Sequence, residues 1–110
     1  MTILETLIAA RSLIADESRW CIGSNARSFK GDKLIDAQDP QAATWCAVGA
    51  LLKVVPSGDF AAAEEVLFFL HNVAHDYFGE IPSSVNDLHG HSEVMRMYDK
   101  AIRILQANGG

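Results

Sequence analysis

The sequence predicts a mainly α-helical domain, with four helices in one compact unit and a short β-hairpin between the first two. Three observations carry that expectation. Apolar residues recur every three or four positions through most of the chain, the spacing of helices with one buried face. Residues that start helices stand before those runs, at Thr2, Asp59, Ser92 and the pair Asp39-Pro40. Turn formers separate the runs, at Lys30-Gly31-Asp32, Pro56 to Gly58, and Gly79 to Pro82.

The elements follow in order. Thr2 caps a first helix running to about Glu17, with Ile3, Leu7, Ala10 and Ile14 facing inward and Leu4 and Ile8 widening the stripe. Glu5 in its first turn suits the helix dipole. Ser18 to Gly23 reads as a helix end entering extended chain, and Ala26 to Ile35 as a hairpin turning at Lys30-Gly31-Asp32. Two strands alone are marginal, so helices must lie behind them. Asp39-Pro40 starts a second helix, Pro40 to about Val54. Ala42 to Leu52 carries no charge, which predicts a helix buried on all sides. Gly49 would then let a neighbour approach closely, at roughly 1 kcal/mol of helix propensity.

Asp59 caps a third helix, about Phe60 to Phe78, closed by Gly79. Its inner stripe is Val66, Leu70, Val73 and Tyr77. Pro82 breaks the chain, and Ser84 to Gly90 reads as a polar loop. Ser92 caps the last helix, which runs to about Ala107 with Val94, Met97, Tyr98, Ala101 and Leu105 inward. Asn108-Gly109 is a helix stop, which is also the expected role of the closing Gly109-Gly110 pair.

Composition narrows function mostly by exclusion. The chain has 110 residues, enough for one domain with its own core. It is 49% hydrophobic and 21% charged, an ordinary globular balance. Nine basic residues against 14 acidic ones give −5, which argues against a nucleic-acid binder and against docking on an anionic membrane. No apolar run is long enough to span a bilayer. The first sixteen residues carry Glu5, Arg11 and Asp16 and lack the basic start and cleavage site of a leader. The expected location is therefore cytoplasmic, with Cys21 and Cys46 as reduced thiols.

Four groups of residues hold the candidate chemistry. The Trp20-Cys21 and Trp45-Cys46 pairs head two similar stretches, Arg19 to Gly23 and Thr44 to Gly49. With no Cys-x-x-Cys spacing they read as core packing rather than a redox or zinc motif. His71 and His75, four apart, share a helix face, and His89 and His91 follow in the loop. Together these could supply three or four zinc ligands if the loop folded back on the helix. His71 to His75 lacks the adjacent glutamate of a metalloprotease. Phe68 interrupts the same polar face, either packing under the hairpin or anchoring an interface. Arg27 sits with Arg19, Lys30 and Lys33 around the hairpin, a small candidate anion site. Packing needs no cofactor.

The order of motifs resembles a family of small proteins from bacteria and their phages, domain-of-unknown-function family 6197. The resembling residues are Arg19-Trp20-Cys21-Ile22-Gly23, Ala26-Arg27, and Asp39-Pro40-Gln41-Ala42 leading into Trp45 to Leu51. Val85-Asn86-Asp87, Glu93-Val94 and Asp99 to Ile102 complete the set. The family tends to carry an aromatic before its Asn-Asp pair, where this chain has Val85. The resemblance implies a compact helical domain with the Asn86-Asp87 loop near the Trp-Cys segments. It brings no activity, cofactor or catalytic residue.

The resulting expectation is a non-catalytic protein-interaction module, acting on a host protein if phage-encoded. Its partner would be another protein, with a second copy of the chain as a further option. Binding residues would be Phe68, His71, His75, Arg27, Asn86 and Asp87. Two rivals stand beside it: a zinc protein or metal-dependent hydrolase using His71, His75, His89 and His91, and a small-ligand or nucleotide site at Arg27, Asn86 and Asp87.

Overall fold

In the computed structural model, which describes residues 1–109, the chain forms five α-helices and a three-stranded antiparallel sheet. Gly110, the second half of the closing glycine pair, lies outside the described residues. Helix α1 spans Ile3–Ile14 and opens with a reciprocal cap. Thr2 Oγ1 accepts the Glu5 amide at 3.0 Å, and Glu5 Oε1 accepts the Thr2 amide at 2.8 Å. The helix stops short of Glu17 because Asp16 starts a separate 3-10 turn, Glu17–Arg19, by accepting the Ser18 amide at 2.9 Å.

The expected hairpin is present as β1 (Ala26–Ser28) and β2 (Lys33–Leu34), with Arg27 opposite Lys33. A third strand, β3 (Ala42–Trp45), pairs on the other side of β1 to give the order β2-β1-β3. This corrects the expected helix from Pro40. Asp39 caps a turn, not a helix: its side chain accepts the Gln41 amide at 2.8 Å, and its carbonyl accepts the Ala42 amide at 2.9 Å. The chain then extends, and helix α2 covers only Ala47–Val54. Cys46 is therefore its N-cap and not mid-helix, with Sγ accepting the Gly49 amide at 3.2 Å.

The short helix is central, as expected, with Ala47, Gly49, Ala50 and Leu51 buried. The neighbour that requires glycine at position 49 is the backbone of Asn25. A Cβ there would stand 1.8 Å from the Asn25 carbonyl oxygen. That same oxygen accepts the Cys46 amide at 3.2 Å, which holds the loop against the helix.

Helix α3 runs Phe60–Phe78, as read. Asp59 caps it by accepting the Ala62 amide at 3.1 Å, and Gly79 closes it at a φ of 72°. Val66, Leu70 and Val73 face the core, but Tyr77 is 56% exposed, with Lys100 Nζ 4.4 Å from its ring centre. The stretch read as a polar loop is helix α4, Pro82–His89, with its proline in the first turn. The helix count is thus five, not four. Helix α5, His91–Ala107, starts through Gly90 rather than a Ser92 cap and buries Val94, Met97, Tyr98 and Ala101.

Helix α1 packs on α2 and α5, and α5 also meets α3 and α4. Leu7, Ile14, Leu51, Leu70, Met97 and Tyr98 fill the middle. Each such side chain contributes about 1.5–3 kcal/mol by leaving water. Among the described residues, no helix is long and apolar enough to cross a membrane.

Candidate functional site

Two places stand out: a polar joint at the N-terminus of α2, and the outer face of α3. The joint gathers the residues of the two Trp-Cys stretches. These run side by side, Trp20 bridging Trp45 in parallel, with the Cys21 amide donating to the Trp45 carbonyl at 3.1 Å. Asn86, 1% exposed, sits on top of them. Its Oδ1 accepts the Trp20 indole N–H at 2.6 Å and the Ala47 amide at 2.9 Å. Its Nδ2 donates to the Cys21 carbonyl at 3.1 Å and to Asp87 Oδ1 at 2.9 Å. Asp87 Oδ1 also accepts the Gly23 amide at 3.2 Å. The Asn-Asp pair therefore lies against the Trp-Cys segments, as the resemblance implied. Tyr98 adds a bond from below, its hydroxyl donating to the Ala47 carbonyl at 2.6 Å. The second indole is satisfied elsewhere, Trp45 Nε1 donating to Ala37 at 2.8 Å.

Beside the joint lies a cleft of about 380 Å³ reached by Gly23, Ser24, Asn25, Cys46, Ser83 and Asp87. Its thiol is poorly suited to attack. Burial pushes the Cys46 thiol above its ordinary range, although the amides of Gly49 and Val48 pull the other way. Burial raises Cys21 as well, against a weaker pull from Thr44 and Arg27. Both thiols are thus held protonated at neutral pH, whereas the thiolate is the reactive form. Val85, the neighbour of Asn86, is buried in the core.

Arg27 is committed to backbone. Nε and Nη2 donate to the Ile22 carbonyl at 3.1 and 3.0 Å, and Nη1 donates to Gly31 at 2.9 Å. It pins the loop before β1 to the hairpin turn. Arg19 lies over the Trp45 ring at 5.6 Å.

The four histidines do not converge. His75 contacts Asp76, and His89 pairs with Glu80. His91 Nε2 lies 2.7 Å from the Ile14 carbonyl, its ring edge-on to Trp20. His71 stands on α3 in a depression with Phe68. Among the described residues, no group of three or more His, Cys, Asp or Glu is placed to hold a metal ion.

The outer face of α3 is apolar where a helix face in water is normally polar. Phe60 is 82% exposed and Phe68 66% exposed, with Leu67 between them. They line an open depression of about 580 Å³ with Ala63, Glu64 and His71. Phe68 does not pack under the hairpin. Two further depressions adjoin it: one shares Phe60 and Ala63 and reaches Ile35, Asp36 and Asp59, the other shares Leu67 and His71 and reaches Val48, Ile81 and Pro82.

A family model described as Family of unknown function (DUF6197) matches residues 1–104. The chain belongs to this family. No curated protein and no solved structure matches it. In this DUF6197 protein, Trp20, Cys21, Gly23, Trp45, Ala47, Asn86 and Asp87 of the quoted motifs meet in the joint.

The sequence reading singled out Phe68 and His71 but passed over Phe60 and Leu67, which line the same depression in this DUF6197 chain. Their signal was available: positions 60, 63, 67 and 71 form a second helical stripe beside the inner one. Ser24, Asn25 and Ser83 of the cleft left no such trace, because only the fold brings those segments together.

Proposed function

We propose that the protein is a small, non-catalytic protein-interaction module that docks a partner along the outer face of α3. The exposure of Phe60 and Phe68 around one largely apolar depression supports this most directly. Each phenylalanine forgoes about 1.5–3 kcal/mol of burial, for which folding of the isolated chain offers no return. Contiguous exposed apolar surface of this kind is what interaction sites present. The state of the joint supports the non-catalytic half of the reading. Asn86 spends its amide on structure, and the nearby thiols are held protonated.

The test is affinity capture from a bacterial lysate with wild type and a Phe60→Ser/Phe68→Ser double variant, read by mass spectrometry. The expected result is a protein retained by wild type and lost by the variant. Identical captures from the two would remove the docking face.

The cleft beside the joint supports a second reading, binding of a small ligand. With Asp87 on its wall and Arg27 turned to backbone carbonyls, it favours a hydrogen-bond donor or cation over a phosphate. A ligand at 100 times its Kd would add about 2.7 kcal/mol of stability in a thermal-shift screen. A flat screen counts against this reading. The zinc reading rests on histidine spacing alone, and a melting temperature unmoved by added zinc would remove it.

A further inference from the structure

The docking track on α3 also carries information about what lies in it. Its apolar positions follow three-and-four spacing, with Phe60, Ala63 and Leu67 in line and Phe68 and His71 alongside. That is the spacing by which one helix accepts the stripe of another. From residue 60 to residue 71 the track measures roughly 16 Å along the helix, about three turns. Its charge has one sign. Asp36 and Asp59 stand at the Phe60 end and Glu64 at the middle, while among the described residues no lysine or arginine lines the central depression or either adjoining one. A partner that brought carboxylates here would meet like charge at close range, and one that brought cations would be steered in.

We propose that the occupant of the α3 face is a short amphipathic helix of another protein, with an apolar stripe flanked by lysine or arginine. This rests on the docking reading above and narrows it. The partner's stripe covers Phe60, Leu67 and Phe68. Its cations lie along the edge formed by Asp36, Asp59 and Glu64. Such helix-in-groove recognition uses anchors at helical spacing and needs no further element from the partner.

The experiment is fluorescence anisotropy with three labelled peptides of about 14 residues, long enough to cover the track as a helix. One carries leucines in a helical stripe with lysine flanks. The second replaces each lysine by glutamate. The third scrambles the first so that its stripe is lost. The lysine-stripe peptide is expected to bind at least about tenfold more tightly than either control. Its affinity should fall as salt is raised. Phe60→Ser with Phe68→Ser should weaken it by at least about tenfold. Glu64→Lys should weaken it while leaving the circular dichroism spectrum unchanged.

Equal binding of the glutamate peptide, still lost in the serine variant, would overturn the cationic partner and leave the docking face in place. Binding indifferent to the serine substitutions, or no binding by any peptide, would overturn the inference. The lysate capture then judges the docking face separately. A concentration-dependent dimer dissolved by Phe68→Ser would assign the face to a second copy of the chain, and would overturn it as well.

Discussion

At Asn86 a polar side chain lies inside the protein, and at Phe60 and Phe68 two of its largest apolar ones lie outside. The two regions reverse the ordinary rule of burial, but they do so for different reasons. The Asn86 amide bonds to Trp20 and Cys21, to Ala47 and to its neighbour Asp87, so its burial is compensated within the fold. The phenylalanines have no such compensation. A departure that the fold balances is architecture, and one that it leaves unbalanced points outside the molecule. By that criterion the joint, which gathers both Trp-Cys pairs and the Asn-Asp pair, is the less promising place to look for function.

The contrast breaks most readily at Gly49. Gly49→Ala would drive a Cβ into the Asn25 carbonyl, and the backbone of a short buried helix has no room to yield. The expected cost exceeds about 4 kcal/mol, a large share of the stability of a small domain, measured by urea unfolding. Asn86→Ala comes next. It leaves the Trp20 indole N–H, the Ala47 amide and the Cys21 carbonyl without their partner, at roughly 3 kcal/mol or more. A loss under about 1 kcal/mol would mean that water enters the joint, and would return it to candidacy as a binding site.

A smaller and graded effect should follow pH. Burial raises the thiols of Cys21 and Cys46 and lifts Tyr98 well above its usual range. These groups ionise earlier in the unfolded chain than in the folded one. Stability from this source is full below the unfolded thiol pKa of about 8.5 and drains away as pH rises further. Urea midpoints measured from pH 7 to pH 10.5 should therefore fall at the alkaline end, and a flat profile would mean that the thiols are open to solvent. The smallest expected change is the most telling. Phe60→Ser and Phe68→Ser should each alter stability by no more than about 0.5 kcal/mol. A clear destabilisation would show that the α3 face belongs to the core after all.

Much of this fold was legible, and the errors have a common source. Thr2 with Glu5, Asp59, Gly79 and the Lys30 to Asp32 turn act locally, and each appears where the sequence put it. The two prolines show where local rules gave out. Proline in the first turn of a helix was invoked at Pro40, where Asp39 instead closes a turn into β3. It was not invoked at Pro82, where it begins α4. The uncharged run from Ala42 to Leu52 signalled burial, but burial does not distinguish a strand from a helix. Thr44 and Trp45 suit a strand, and β1 was waiting to pair with them. The α3 face was half legible: Phe68 was noticed because it broke a polar pattern. Phe60 reads only as the first residue of the helix that Asp59 caps. His75, His89 and His91 have separate neighbours in Asp76, Glu80 and the Ile14 carbonyl, which spacing along the sequence does not disclose.

The position of Asn86 in the chain bears on how the protein comes to be folded. The bonds it forms reach back 66 residues to Trp20, 65 to Cys21 and 39 to Ala47. During synthesis, α1, the sheet and α2 all emerge before their shared acceptor exists. Until then the Trp20 indole and the first amide of α2 must be hydrated, and the two Trp-Cys segments are aligned by their own bridge and the β1–β3 pairing without the Asn86 amide that ties them to α2. Closure of so distant a contact is slow compared with formation of the helices. The amino-terminal half should therefore remain loose until α4 arrives, and nascent chains released before Asn86 should be open to proteases at the Trp-Cys segments.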